Sequence, residues 1–200
     1  MTPLSQPGSS GAKTQKTQKK GWRRLMRGLV LFLLLAAALL LVRRFLAEPV
    51  HVKGNSMLPT LENGEWLLVD HLSYTLGEPQ RGDVVICHYP DRYADPWKLI
   101  RQYFVKRIVG LPGETLEIVE GIVLINGEPL DEGYLDADHT RFIRNAPPVT
   151  LGDDEYFVMG DNRDNSNDSR RIGPITRSML VGRVAQVIFP FGHRRAVTDR

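Results

Sequence analysis

The sequence predicts a mainly β domain behind a single membrane helix. Short apolar runs alternate with turn residues beyond residue 60, no later stretch keeps a helical period, and residues 28–42 form one uncharged apolar run. A chain of 200 residues, 42% hydrophobic, with 18 Gly and 13 Pro, suits one globular domain plus extensions and leaves no room for a second full domain.

Residues 1–24 read as a basic, disordered, cytoplasmic tail. Gly, Ser, Gln and Lys dominate it, and too few large apolar side chains are present to offset the entropy of ordering. Net charge is only +3, but Lys13, Lys16, Lys19, Lys20, Arg23, Arg24 and Arg27 all precede the apolar run. A nucleic-acid surface would interleave aromatic residues with such a block; this one abuts a hydrophobic segment, so the expected partner is the lipid bilayer and not nucleic acid. The fifteen uncharged residues of 28–42 extend to a 23-residue span over 25–47 if Arg27, Arg43 and Arg44 reach toward headgroups. At ~1.5 Å per residue the span is ~35 Å, enough for a hydrocarbon core of roughly 30 Å. A cleavable export signal shares the basic start, but Arg43 and Arg44 follow the run directly and no small-x-small site stands just beyond. The excess of basic residues before the span puts the N-terminus in the cytoplasm and residues 48–200 outside a plasma membrane crossed once.

Strands are expected over 65–70, 83–89, 99–109, 115–119, 122–125, 156–159 and 181–189, with Asn126-Gly127 and Pro112-Gly113 as turns. This spacing indicates a sandwich or a barrel. The lone Cys87 follows Val84-Val85-Ile86 and reads as a small core thiol.

Ser56 draws attention through its neighbours. Gly54 permits unusual backbone angles just before it and Pro59 stiffens the chain after it, a combination suited to presenting a hydroxyl and a backbone N–H to a cleft. The second glycine of the hydrolase elbow is missing. None of the five histidines sits in a triad-like or zinc-binding motif, so no metal is expected. Lys106 lies within Tyr103-Phe104-Val105-Lys106-Arg107-Ile108-Val109, which reads as a strand buried on both faces. Burial there would depress its pKa and make it a general base; the bland alternative is a lysine that extends to solvent or pairs with an acid. Gly160 through Arg170 is dense in hydrogen-bonding side chains directly after an apolar strand. It fails as a calcium loop, because Ser169 and Ile175 stand where Gly and Glu are required.

Four ordered segments carry a resemblance: Ser56-Met57-Leu58-Pro59-Thr60-Leu61, Arg81-Gly82-Asp83-Val84-Val85, Lys106-Arg107-Ile108-Val109-Gly110-Leu111-Pro112-Gly113-Glu114, and Gly160 through Arg170. Together they resemble the bacterial type I signal peptidase (leader peptidase) family, membrane-anchored Ser-Lys proteases that remove signal peptides from exported proteins. The resemblance implies a coiled, barrel-like antiparallel sheet over 48–200 with a small cap at 115–159 in place of the large inserted domain of longer members. It implies Ser56 as nucleophile, Lys106 as general base, Ser166 orienting the lysine, and Asp168 and Arg170 as a structural ion pair that Arg107 joins. The oxyanion would be held by the Ser56 N–H, with Gly54 standing where some members carry a second hydroxyl donor. Met57, Phe104 and Val105 would wall shallow pockets for small residues, as in Ala-x-Ala sites. No cofactor is implied; the partners would be signal-bearing preproteins, the bilayer and the export machinery. Two alternatives stay open: a dedicated Ser-Lys peptidase with a narrower set of substrates, and a membrane-tethered binding protein that keeps the fold without catalysis.

Overall fold

The apolar runs fold as strands of two antiparallel sheets. The computed structural model describes Trp22 and residues 25–39, 47–89, 103–141 and 145–197. Among them the strands are β1 (Ala47–His51), β2 (Trp66–Asp70), β3 (Val84–His88), β4 (Tyr103–Gly110), β5 (Thr115–Val119), β6 (Ile122–Ile125), β7 (Glu128–Pro129), β8 (Ala146–Thr150), β9 (Glu155–Met159), β10 (Ile175–Thr176), β11 (Leu180–Phe189) and β12 (Arg195–Ala196). The larger sheet runs β1-β2-β11-β3-β4-β9-β10, with β12 on β11; the smaller runs β7-β6-β5-β8. Each of the seven apolar runs overlaps one of these strands, with ends that differ by a residue or two, and residues 99–102 of the third run lie outside the described residues. Among the described residues five more strands lie outside those runs: β7, β10 and β12 are two residues long, β8 carries Pro147 and Pro148, and β1 is broken up by Glu48, Pro49 and His51.

Side chains alternate between two packed faces along β3 and β9. Val85 and Cys87 of β3 join Ile108, Tyr156 and Val158 in one cluster, while Val84 and Ile86 join Met57, Leu61, Leu67 and Val69 in another. On β9, Phe157 and Met159 turn away from Tyr156 and Val158 and pack with Leu116, Ile118 and Val123 of the smaller sheet. Strands buried on both faces show unbroken apolar runs, which explains why β3 and β4 lack the polar alternation of a half-exposed strand. Register shifts on β11 at Leu180/Gly182, Val184/Gln186 and Val187/Phe189 add the local twist that curls the larger sheet. The β5–β6 hairpin leads into β7 through Asn126 and Gly127, both at positive φ (52° and 85°), as that turn chemistry requires.

The chain divides into two units, Met1–Arg44 and Phe45–Arg200. In the first, helix α1 is described over residues 25–39, apolar except for Arg27 in its first turn. Fifteen residues are shorter than the 23-residue span expected over 25–47, and residues 40–46 lie outside the described residues, as does most of the expected tail. Among the described residues no helix is long and apolar enough to cross a membrane.

Candidate active site

Ser56 sits in the loop of the β1–β2 hairpin. Pairing of His51 with Trp66 continues as Val52 N–H to Glu65 O (2.8 Å) and Gly64 N–H to Val52 O (3.1 Å), so residues 53–63 leave and rejoin one ladder. Met57 and Leu61, 2% and 0% exposed, pin the loop into the core, and Leu61 N–H closes a helical turn on Met57 O at 2.8 Å. The Leu58–Pro59 peptide is cis. From across the sheet Asn162 holds the loop twice, its N–H on Ser56 O (3.0 Å) and its Nδ2 on Asn55 O (3.1 Å).

Lys106 lies on the interior strand β4, opposite Val85 of β3, and is 2% exposed. Its Nζ is 2.9 Å from Ser56 Oγ and donates to Val105 O at 2.8 Å. Burial drives the Lys106 ammonium below its ordinary range, and the negative charges nearby only partly oppose it. The amine is thus pressed toward its neutral form with a hydroxyl at hydrogen-bond distance. Cys87 of β3 is no competing nucleophile: burial pushes its thiol up to about 12.

The remaining residues singled out in the sequence divide. Asp168 and Arg170 form a bidentate pair, Nε to Oδ1 and Nη2 to Oδ2, both 2.8 Å. Burial alone would raise the Asp168 carboxyl, but the hydrogen bonds and charge of Arg170 outweigh it and hold the group below the ordinary carboxylate range. Asp168 also caps α2 (Ser169–Ile172) and accepts from Gly160 N–H at 3.1 Å. Arg107 does not join this pair. It points to the opposite face of β4, where Nε and Nη2 bind Asp161 at 2.9 and 2.8 Å, Nη1 binds Gly82 O at 2.7 Å, and the guanidinium lies 3.9 Å from the Tyr134 ring centroid. Alternation of side chains along a strand sends Lys106 and Arg107 to different faces, so neighbours in sequence serve different networks.

Ser166 also departs from expectation. Its Oγ is buried and makes no hydrogen bond to Lys106; the amine's second partner is Val105 O. Gly54 adopts φ of +100°, as its place before the serine suggests, but its N–H donates to Asn63 Oδ1 (2.9 Å) and is not free to face an oxyanion. Met57, Phe104 and Val105 all line an open cleft of about 380 Å³ that Ser56, Lys106, Ile86 and Val50 also line. Phe104 is braced from behind by the ring of Tyr89, stacked at 4.1 Å.

Asp161, Asn162 and Thr60 were not singled out as site residues from the sequence. Thr60 Oγ1 donates to Asp161 Oδ2 at 2.5 Å, linking the Ser56 loop to the Arg107 pair. The signal was present in Gly160-Asp161-Asn162, where two hydrogen-bonding side chains follow a glycine at the end of a buried strand. Gly160 permits the closest approach: a Cβ there would lie 2.4 Å from Ser56 O and 2.3 Å from Ser166 Oγ.

The family model described as signal peptidase, peptidase S26, matches residues 23–189. A protein of Synechocystis sp. named probable signal peptidase I-1 is 38% identical over 169 residues, 84% of this chain and 85% of that one. The signal peptidase I of Leptolyngbya laminosa is 35% identical over 189 residues (94% and 88%), and signal peptidase I S of Bacillus subtilis is 37% identical over 188 (90% and 95%).

Proposed function

The chain belongs to the signal peptidase family, peptidase S26, and on that premise we propose that it cuts signal peptides from exported preproteins after small-x-small sites, with Ser56 as nucleophile and neutral Lys106 as general base. The observation that carries this reading is a hydroxyl 2.9 Å from a buried amine whose charge is disfavoured. Val105 O accepts one N–H of Lys106, which leaves the amine's lone pair for the Ser56 proton. Lys106 takes that proton as Oγ attacks the scissile carbonyl, then returns it to the departing amine as the peptide C–N bond breaks. A water, deprotonated by the same amine, next attacks the ester, and Ser56 recovers its proton. Among the described residues nothing accepts from the Ser56 N–H, which makes it the oxyanion donor in this reading, worth on the order of 3 kcal/mol in other proteases.

The substrate would lie extended between residues 50–54 and β4, its small side chains against Met57, Phe104 and Val105. Asp168 and Arg170, with Ser166 beside them, would stiffen the loop behind Lys106. Residues 25–47 would anchor the chain once in the plasma membrane, with the N-terminus cytoplasmic and the protease outside beside the export machinery. A helix apolar on every side beyond Arg27, with exposed Leu25, Phe32, Leu35 and Leu39, supports the anchor.

Full-length protein in detergent is expected to cut a precursor bearing Ala-x-Ala once, after the second alanine, as read by mass spectrometry. A bulky residue at either alanine should lower kcat/KM by about tenfold or more; indifference to that change would sink the specificity. Gly160→Ala is expected to lower kcat by about tenfold to hundredfold, because the new methyl must push the Ser56 carbonyl and so displace the nucleophile. Unchanged turnover would mean that the Asn162 clamp does not fix Ser56.

A further inference from the structure

The family model matches through residue 189, and the segment beyond it, 190–197, folds back onto the loop that carries Ser56. Strand β12 pairs with β11, Arg195 opposite Val187. From there Arg195 reaches inward: Nη1 binds Glu65 Oε1 at 2.7 Å, and Nη2 binds both Glu65 Oε2 (3.0 Å) and Thr60 O (2.7 Å). The Glu65 side chain is 2% exposed, and its Oε2 also accepts the Glu62 N–H at 2.9 Å. Thr60 is therefore gripped from two directions, its carbonyl by Arg195 and its hydroxyl by Asp161, whose partner Arg107 follows Lys106 on β4.

We infer that Arg195 is a positioning residue for the reaction: its fork on Glu65 and Thr60 O fixes the far end of the Ser56 loop and so holds the hydroxyl in register with the Lys106 amine. The inference rests on the reading of Ser56 as the nucleophile. A buried carboxylate stays where a partner compensates its charge. Without the guanidinium Glu65 keeps only the Glu62 N–H on Oε2 and the His193 ring, whose Nδ1 lies 3.4 Å from Oε1, so its charge is undercompensated and drawn toward solvent, and Thr60 O loses the donor that limits movement of residues 60–65. A lysine keeps the charge but not the planar fork, and so does not hold Glu65 and Thr60 O in the same geometry.

The test uses the full chain in detergent, with Arg195→Ala, Arg195→Lys and the pair Arg195→Ala/Glu65→Gln, measuring kcat, KM and Tm with an Ala-x-Ala precursor. Arg195→Ala is expected to lower kcat about tenfold to hundredfold with KM within about threefold of the parent. The pair should regain much of the Tm, because no carboxylate is stranded, while kcat stays low because Thr60 O is still unheld. Arg195→Lys, the mildest change, should fold and still lose kcat by about threefold or more. Parental kcat in both the lysine variant and the pair, with only Tm altered, would make Arg195 purely structural and overturn the inference. Ser56→Ala in the same assay separates the two readings: if it still turns over, the nucleophile assignment fails, and if it is dead while the Arg195 variants are fully active, only the positioning role fails.

Discussion

Lys106→Ala is expected to lower kcat/KM for a signal-bearing precursor by about 10⁴-fold or more, the scale on which loss of one member of a nucleophile–base set acts in other serine proteases. Proton accounting explains the size. A lysine at its ordinary pKa of about 10.4 is only ~0.04% neutral at pH 7 and makes a poor base. Burial lowers the pKa of Lys106, so activity should rise with pH along a limb whose midpoint lies below about 10.4. The same burial acts on folding with a definite sign. Between the lowered folded-state pKa and the ordinary unfolded value the native state binds fewer protons than the unfolded chain, so stability rises with pH across that window and levels off above it. At lower pH the fold must bury a charge. Lys106→Met should accordingly be inactive yet more stable than the parent at neutral pH, with the Tm gap closing as pH approaches about 10.4. An alanine variant within tenfold of the parent, or an acid limb that persists without the amine, would remove Lys106 from the chemistry.

The fold was legible where burial on both faces leaves a compositional trace. The runs around Val84-Val85-Ile86 and Ile108-Val109 could be read as strands because nothing polar interrupts them, and the Asn126-Gly127 turn because few other residue pairs tolerate two successive positive φ angles. Strand β8, with two prolines, is held by pairing with β5 and by Val149 packing against the core that joins the two sheets, and local propensity gave no hint of it. Ser56 and Lys106 could be picked out because a glycine–proline frame and a lysine on the buried face of an apolar strand are each unusual. Partner choice was another matter. Which carboxylate Arg107 takes depends on the pleat of β4 and on where the chain turns after β9, and Gly160-Asp161 reaches that face while Asp168 turns back to cap α2. The Glu65–Arg195 pair spans 130 residues, a separation across which sequence spacing carries no information.

Arg107→Ala is expected to destabilise the protein by about 3–5 kcal/mol, the range for stranding one member of a buried ion pair. Arg107 and Asp161 side chains are both 0% exposed, and the guanidinium also donates to Gly82 O and Thr60 Oγ1 and stacks on Tyr134. Removing it leaves the Asp161 carboxylate with the Thr60 hydroxyl in place of a charged partner, and takes the guanidinium donor from Gly82 O, in a space water must enter to satisfy them. For a body of this size the loss corresponds to a fall in Tm of roughly 6–20 °C. The double change Arg107→Met/Asp161→Leu tests what the pair is for. Two apolar side chains of similar bulk avoid the stranded charge, so much of the stability should return. Activity should not return, because Asp161 is the acceptor that holds the Thr60 hydroxyl five residues before Glu65 and four after Ser56. A double variant restored in Tm and still cleaving precursor at the parental rate would show that this ion pair serves only to hold the fold, and that the loop keeps Ser56 beside Lys106 by other means.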